Sequence, residues 1–198
     1  MIILGLTGSI GMGKSTAAAM LRSMRIPVYC ADEAVHNLLG KNGKAVAAVA
    51  KLYPAAFEEN KINRKILGAA VFHDAALMKQ LEAILHPLVR DIERAFIRRN
   101  RAHQNSMGKK IVVLDIPLLF ETHAEKRVDK IMVVSAPSFI QRARVLSRAD
   151  MNAQKFEAIL AKQMSDVHKR RQADYVIPTG LGRAVTFAAL RRVMRQLP

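Results

Sequence analysis

Apolar residues occur in two alternating kinds of segment along the chain, and the alternation predicts an α/β fold. Continuous apolar runs rich in β-branched residues are typical of parallel strands that are covered on both faces. Strands are predicted at 2–7, 26–30, 109–116, 130–135 and 174–177. Segments with helical spacing separate them. We therefore expect a parallel sheet of about five strands flanked by helices.

Residues 31–101 form a block that is mostly helical in pattern and too long for one crossover between strands. Helices are expected to end at Gly40, to begin after an Asn63 cap, and to break at His86-Pro87. This block is interpreted as a lobe over the site.

The chain offers no Gly/Ser/Pro-rich linker, so we expect one domain over 1–198. Its core would comprise about 1–30 and 108–198, with the helical acceptor-binding lobe at about 31–107. Further helices are predicted at 14–24, 137–149 and 152–166, and from about Arg183.

Charge is the extreme feature of the composition, with 32 Lys+Arg against 16 Asp+Glu and a net charge of +16. Such an excess attracts anions but does not choose among nucleotides, nucleic acids and lipids. The lone Cys30 cannot form an internal disulfide, and no targeting segment is visible. The longest apolar stretch, IVVLDIPLLF, is about half the length of a membrane span. We expect a soluble, cytoplasmic protein with no membrane partner.

The stretch GLTGSIGMGKST (5–16) lies between a predicted strand and a predicted helix and contains G-x-x-x-x-G-K-[ST]. This motif forms a loop whose N–H groups surround a phosphate, at a helix N-terminus that adds positive charge. Lys14 is expected to reach the β- and γ-phosphates of ATP, and Ser15 to ligate Mg²⁺. Glycine is expected at 8 and 13 because a side chain would fill the phosphate space. The predicted ATP-binding residues are Gly8, Ser9, Gly11, Met12, Gly13, Lys14, Ser15 and Thr16.

Two carboxylates follow predicted strands and are candidates for chemistry. Asp32 is placed to act as base toward an acceptor hydroxyl, and the alternative is an N-cap of the next helix. Asp115 closes a strand, where it would act with Ser15 as a magnesium ligand. The alternative for Asp115 is a strand end that points to solvent.

Arginines 142, 144 and 148 lie on or just past one predicted helix, within a lid at about 141–172. A planar, permanently charged guanidinium suits a group that closes over phosphates, and Arg148 is chosen because a plausible hinge follows it. The alternative for each arginine is a solvated helix face.

The loop motif alone does not fix the reaction. The chain lacks the Asn-Lys-x-Asp element of GTPases and the Leu-Ser-Gly-Gly-Gln signature of transporter ATPases. These absences favour a phosphotransferase with a small acceptor. A nucleic-acid-binding ATPase is the alternative from another class, but the chain has no Trp and few aromatics for base stacking.

Seven segments, in order and spacing, make the chain resemble dephospho-CoA kinases over about residues 2–180. They are GLTGSIGMGKST, ADEAVH, NRKILGAAVF, LEAILHPLVR, VVLDIPLLFE, VDKIMVV and QADYVI. The resemblance implies a P-loop NTPase-type fold with a helical substrate-binding lobe and a lid. It implies phosphorylation of the ribose 3′-hydroxyl of dephospho-CoA with ATP and Mg²⁺. The alternative is another small-molecule P-loop kinase with a nucleotide or sugar acceptor.

The same resemblance assigns Asp32, Lys14 and Arg148 to catalysis. It places Arg64, His86 and Arg90 at the acceptor, although His86 is equally explained as a helix N-cap beside Pro87. Near the base of the lid it places Gln163, Lys169 and Arg170.

The chain also departs from the family pattern at two places. Cys30 stands where an aspartate is common, so that position contributes no charge. Pro178-Thr179-Gly180 replaces an Asn-containing turn, which leaves the contacts of the adenine open.

Overall fold

The computed structural model describes residues 1–105 and 107–198. Five strands form one sheet in the order β2-β5-β1-β6-β7, and β3 and β4 form a separate antiparallel hairpin. The strands are β1 (Ile2–Thr7), β2 (Val28–Cys30), β3 (Phe57–Glu58), β4 (Lys61–Ile62), β5 (Ile111–Asp115), β6 (Lys130–Ser135) and β7 (Tyr175–Pro178). The expectation of a five-stranded parallel sheet flanked by helices is confirmed.

The helices occupy most of the remaining chain. They are α1 (Lys14–Ser23), α2 (Ala31–Leu39), α3 (Val46–Leu52), α4 (Arg64–His73), α5 (Ala75–Arg99), α6 (Ser138–Leu146), α7 (Ala153–Ala161), α8 (Asp166–Arg171) and α9 (Arg183–Gln196). Short 3-10 helices span Pro54–Ala56 and Ala124–Arg127. None of the helices in the described part of the chain has the length and apolarity needed to cross a membrane.

The chain divides into two compact units, Met1–Tyr29 with Asn100–Pro198, and Cys30–Arg99. The first unit has its core around the sheet, where Leu4, Leu6, Val113, Met132 and Ile177 are buried. Parallel pairing places Leu6 opposite Asp115, so β1 and β5 end at the same edge of the sheet. In an open parallel sheet, this carboxyl edge is where ligands bind.

The second unit has its own core, in which α5 packs against α2, α3 and α4. Asn63 caps α4 as expected, and its Oδ1 accepts from the N–H groups of Lys65 and Ile66 over 3.0 and 3.3 Å. The β3–β4 hairpin inside this block was not predicted. Its turn residues Glu59 and Asn60 adopt positive φ without a glycine, so the usual hairpin signal is missing.

Helix α5 corrects the prediction of a break at His86-Pro87, because it runs through Pro87 without interruption. Proline removes one helical N–H, yet Leu81 and Leu85 before it and Ile92 after it pack into the same core. This packing holds both halves of the helix in line. His86 therefore lies inside a helix, and its interpretation as an N-cap is wrong.

Candidate active site

The segment between β1 and α1 folds as the loop that the motif predicts. Gly11 and Gly13 adopt φ values of 77° and 85°, and Gly13 is the residue that precedes the first helical residue, Lys14. The first N–H groups of α1 have no partner within the helix. The loop and the helix start together form a concentration of N–H donors suited to phosphate.

The reason for glycine at position 8 differs from the predicted one. A Cβ at Gly8 would lie 2.5 Å from Val134 Cγ2 and 2.8 Å from the Val134 carbonyl oxygen. Close packing of the loop on β6 therefore excludes a side chain at this position. At Gly13 the left-handed backbone conformation is itself a reason for glycine.

Lys14 and Asp115 form an ion pair at the carboxyl edge of the sheet. Lys14 Nζ lies 2.6 Å from Asp115 Oδ1, and the Asp115 side chain is 5% exposed. The alternative of a strand end pointing to solvent is therefore wrong for Asp115. The ammonium group of Lys14 and the carboxylate of Asp115 therefore lie together beside the glycine-rich loop.

Ser15 and Asp115 are the residues predicted to hold magnesium. Ser15 lies exposed in the first turn of α1, and Asp115 ends the neighbouring strand β5. No group of three His, Cys, Asp or Glu side chains suited to a metal occurs among the described residues. One hydroxyl and one carboxylate fit Mg²⁺, which usually keeps several waters and binds substrate phosphates as well.

Side chains from outside the motif bind the loop backbone. Gln141 Nε2 donates to the Ile10 carbonyl over 2.8 Å, and the Ile10 N–H donates to Gln163 Oε1 over 3.1 Å. Thr179 Oγ1 donates to the Met12 carbonyl over 2.7 Å. The resemblance places only Gln163 near this region. Gln141 carries no sequence signal, because glutamine is common on helices. Thr179 was noted only as part of a turn that departs from the family pattern, and its contact with the loop was not predicted.

The three arginines on or just past α6, which were predicted to belong to a lid, have different surroundings. Arg142 Nη1 lies 3.0 Å from Glu157 Oε1 on α7, and Arg144 Nη2 donates to the Thr179 carbonyl over 2.6 Å. Arg148 is exposed and makes no side-chain hydrogen bond or ion pair with any residue in the described part of the chain. Arg148 is therefore the one of the three whose guanidinium is available to a ligand.

Lys169 is fully buried and forms an ion pair with Glu121, whose Oε1 lies 2.8 Å from Lys169 Nζ. The same oxygen accepts the Met164 N–H over 2.8 Å. Burial alone would raise the pKa of Glu121, but the bonds from Lys169 and from backbone N–H groups outweigh it and lower that pKa. Lys169 thus links α8 to the segment that follows β5 from inside the protein. Arg170, its neighbour on α8, is exposed.

Asp32 is the second residue of α2, in the second unit. The residue before the helix is Cys30, and no side-chain bond caps this end, so the alternative of an N-cap is wrong for Asp32. Its carboxylate is exposed and has no hydrogen-bond or ion-pair partner within residues 1–105 and 107–198. Within Cys30–Arg99, no side chain or backbone group binds the Asp32 carboxylate.

The structure brings two of the three predicted acceptor residues together. His86 and Arg90 lie in one concavity of about 360 Å³ along α5, which Ala83, Pro87, Asp91 and Arg94 complete. Arg64, the first residue of α4, does not line it. The i, i+4 spacing of His86 and Arg90 on one helix explains their proximity. Arg94 continues this helix face but belongs to no motif.

Comparison with known proteins decides the family. The sequence profile of dephospho-CoA kinase matches residues 2–181. The chain belongs to the dephospho-CoA kinase family. A curated dephospho-CoA kinase of Paramagnetospirillum magneticum is 57% identical over 86% of this chain and 78% of its own length. One from Mesorhizobium japonicum is 49% identical over 100% of this chain and 97% of its own length.

A solved structure agrees with the fold. A crystal structure of a protein from Thermus thermophilus superposes with a TM-score of 0.85 and 33% identity, covering 100% of this chain and 98% of that one. The resemblance to dephospho-CoA kinases is confirmed by the profile and the relatives. The alternative kinase and ATPase families are not favoured.

Proposed function

We propose that this chain transfers the γ-phosphoryl group of ATP to the ribose 3′-hydroxyl of dephospho-CoA, giving CoA and ADP. Membership of the dephospho-CoA kinase family is the observation that carries this proposal. The phosphate-binding loop and the Lys14–Asp115 pair support it with the chemistry that phosphoryl transfer needs.

On the nucleotide side, Lys14 would exchange its contact with Asp115 for the β- and γ-phosphates. The N–H groups of the loop and of the first turn of α1 would bind the same phosphates. Ser15 and Asp115 would hold Mg²⁺, Asp115 directly or through a bound water. When bound, magnesium neutralises charge on the transferred group.

On the acceptor side, Asp32 would accept the proton of the attacking hydroxyl and orient it in line with the γ-phosphate. Its exposure and its lack of a partner among the described residues leave both carboxylate oxygens available. His86 and Arg90 would contact the acceptor in the concavity on α5, and Arg64 would contact it from α4. The guanidinium of Arg90 beside His86 suits an acceptor that carries a diphosphate.

The lid would contribute Arg148. Its exposed guanidinium can close over the phosphates and stabilise the charge that develops during transfer. Arg142 and Arg144 are already bound to Glu157 and Thr179, so we assign them to the framework of the lid.

We also expect the chain to act in the cytoplasm, where dephospho-CoA and ATP are available and the single Cys30 stays reduced. No specific nucleic-acid partner is proposed, because the family's acceptor is a small molecule and the chain offers few aromatics for stacking.

The direct test is ADP release by the purified chain with ATP and Mg²⁺, with dephospho-CoA, adenosine, AMP or shikimate as acceptor. We expect release with dephospho-CoA and formation of CoA in equal amount. Release with another of these acceptors but not with dephospho-CoA would overturn the proposal. Identification of the phosphorylated hydroxyl by NMR would test the 3′ assignment separately.

A further inference from the structure

Two carbonyl groups of the phosphate-binding loop are bound from outside the loop by side chains. Gln141 on α6 donates to the Ile10 carbonyl over 2.8 Å, and Thr179 in the turn after β7 donates to the Met12 carbonyl over 2.7 Å. Both side chains belong to residues that are 6% exposed. A longer contact of 3.2 Å joins Thr179 Oγ1 to the Ser135 carbonyl, so Met12 is the closer acceptor.

Each anchored carbonyl fixes the direction of the next N–H group in the loop. The peptide unit is planar and trans, so a C=O and the N–H that follows it point in opposite directions. Gln141 therefore turns the Gly11 N–H away from α6, and Thr179 turns the Gly13 N–H away from the turn at 178–180. These are N–H groups of the kind that the motif presents to phosphate.

Gln163 fixes the same part of the loop from a third direction. The Ile10 N–H donates to Gln163 Oε1, so both polar groups of Ile10 are bound by glutamine side chains. Gln163 lies just beyond α7, and its neighbour Met164 donates its N–H to Glu121, the partner of buried Lys169. The backbone next to Gln163 is thus fixed by a carboxylate that is paired with a buried lysine.

Arg144 completes the support of Thr179. Its guanidinium donates to the Thr179 carbonyl over 2.6 Å and lies 3.3 Å from Thr179 Oγ1. A guanidinium has no acceptor, so it leaves the hydroxyl proton of Thr179 for the Met12 carbonyl. The Pro-Thr-Gly turn, which departs from the family pattern, thereby supplies an oriented donor to the loop.

We propose that Gln141, Gln163 and Thr179 are positioning residues for phosphoryl transfer, which aim the Gly11 and Gly13 N–H groups at the nucleotide phosphates before the nucleotide binds. Donors that are already oriented need no reorganisation when charge develops on the phosphates. Without these three side chains, the loop would become ordered only when the nucleotide binds, and this would lower the affinity for the nucleotide. The inference rests on the proposed function in that the loop binds nucleotide.

The first test compares Thr179→Val, which replaces the hydroxyl with a methyl group, with Thr179→Ser, which keeps it. Calorimetric titration of the full chain with Mg-ADP should give about tenfold weaker binding for Thr179→Val, as expected when one hydrogen bond that orients the loop is lost. Thr179→Ser should bind like the wild type. Wild-type affinity in Thr179→Val, or equal loss in both variants, would overturn the role of the hydroxyl.

Thr122→Val is the matched control, because exposed Thr122 donates only to the carbonyl of Leu118, four residues earlier in the chain. It should leave Mg-ADP affinity unchanged. Thermal unfolding of each variant separates a role in stability from one in positioning. A merely structural Thr179 would lower the melting temperature while the folded protein kept its affinity for Mg-ADP, and that result would overturn the proposal.

The second test concerns the two glutamines, through Gln141→Met, Gln163→Met and the double variant. Both act on Ile10, so the loss of Mg-ADP affinity in the double variant should be smaller than the product of the single losses. Strict additivity would contradict a shared anchor. Gln154→Met, at an exposed glutamine of α7, is the control and should bind Mg-ADP normally.

Steady-state kinetics distinguish a failure of the positioning proposal from a failure of the proposed function. The positioning variants should raise the KM for ATP and lower kcat, and leave the affinity for dephospho-CoA at its wild-type value. A wild type that binds Mg-ADP but does not phosphorylate dephospho-CoA would sink the proposed function and leave the positioning test intact. A wild type that binds no Mg-ADP would overturn both.

Discussion

The side chains proposed for the nucleotide and for the acceptor are held in opposite ways. On the nucleotide side, Lys14 and Asp115 lie 2.6 Å apart in an ion pair with little exposure. On the acceptor side, Asp32, His86 and Arg90 are exposed and make no side-chain hydrogen bond or ion pair with residues that the structure describes. We infer that the nucleotide side is ordered before binding and that the acceptor side gains its contacts from the ligand.

This contrast determines what a substitution can reveal. A change at Lys14 or Asp115 removes a contact that the free protein already has, so it alters stability as well as turnover. A change at an exposed side chain without partners alters turnover alone. Melting temperature and kinetics, measured together, therefore test the contrast directly.

The largest effect is expected from Lys14→Ala. It removes the charge at the β- and γ-phosphates and leaves the buried carboxylate of Asp115 without this partner. We expect kcat/KM to fall by roughly a thousandfold and the melting temperature to fall as well. Lys79→Ala, at an exposed lysine of α5, should change neither quantity. Wild-type kcat in Lys14→Ala would contradict the role of Lys14.

Asp32→Asn should give the next largest effect, and it tests the acceptor side. The amide keeps the shape of the side chain and removes the base, so kcat should fall by about a hundredfold or more with little change in the KM for ATP. The melting temperature should fall only slightly, because Asp32 has no hydrogen-bond or ion-pair partner within the described residues and loses only the weak attraction of the α2 N-terminus for its charge.

Glu33→Gln provides the comparison for Asp32→Asn, since Glu33 is the adjacent exposed carboxylate on α2. Its kcat should remain close to that of the wild type. Equal losses of kcat in the two variants would show that Asp32 has no special role. A melting temperature in Asp32→Asn as low as that of Lys14→Ala would contradict the contrast between the two sides.

Arg148→Lys should have a smaller effect, because it keeps the charge and loses the planar, bidentate guanidinium. We expect about a tenfold lower kcat and an unchanged melting temperature. Arg142→Lys is the control, on α6 just before the turn that contains Arg148, where a lysine can still pair with Glu157. If Arg148→Lys retained full activity, Arg148 would have no role at the phosphates.

The sequence predicted the loop, the sheet and the family, because each has a strong local signal. A glycine-rich motif between an apolar run and a helix pattern is such a signal, and so is Asp115 at the end of a strand. The prediction of a helix break at Pro87 was wrong. It considered the helical hydrogen bond that proline removes, but not the core contacts that α5 makes before and after Pro87. Tertiary packing overrode the local rule there.

The contacts that hold the loop could not be predicted from the sequence. Gln141 and Thr179 reach Ile10 and Met12 from about 130 and 170 residues away along the chain. No spacing rule covers such distances. Lys169 likewise has the sequence context of a basic surface helix, HKRR, yet it is fully buried against Glu121. Its burial depends on a partner that only the fold brings near.

The smallest effect on turnover is expected from the Glu121–Lys169 pair, which acts through stability and pH. The pKa of Glu121 is lowered in the folded protein, so its contribution to stability is complete above about 4.5, its ordinary value, and is lost as the pH falls through the lowered pKa. Lys169→Met removes the bond and the charge that lower this pKa. Within the described residues, the backbone N–H groups then remain as the only contacts that oppose the effect of burial on the pKa of Glu121.

Chemical denaturation between pH 7 and pH 3 measures this difference. The free energy of unfolding should be lower in Lys169→Met at pH 7, and the gap to the wild type should narrow as acid protonates Glu121 in the wild type. Arg170→Met, at the exposed neighbour on α8, should follow the wild-type curve. A gap that stays constant down to pH 3 would mean that Lys169 stabilises the fold by packing alone, and that its contribution does not depend on the charge of Glu121.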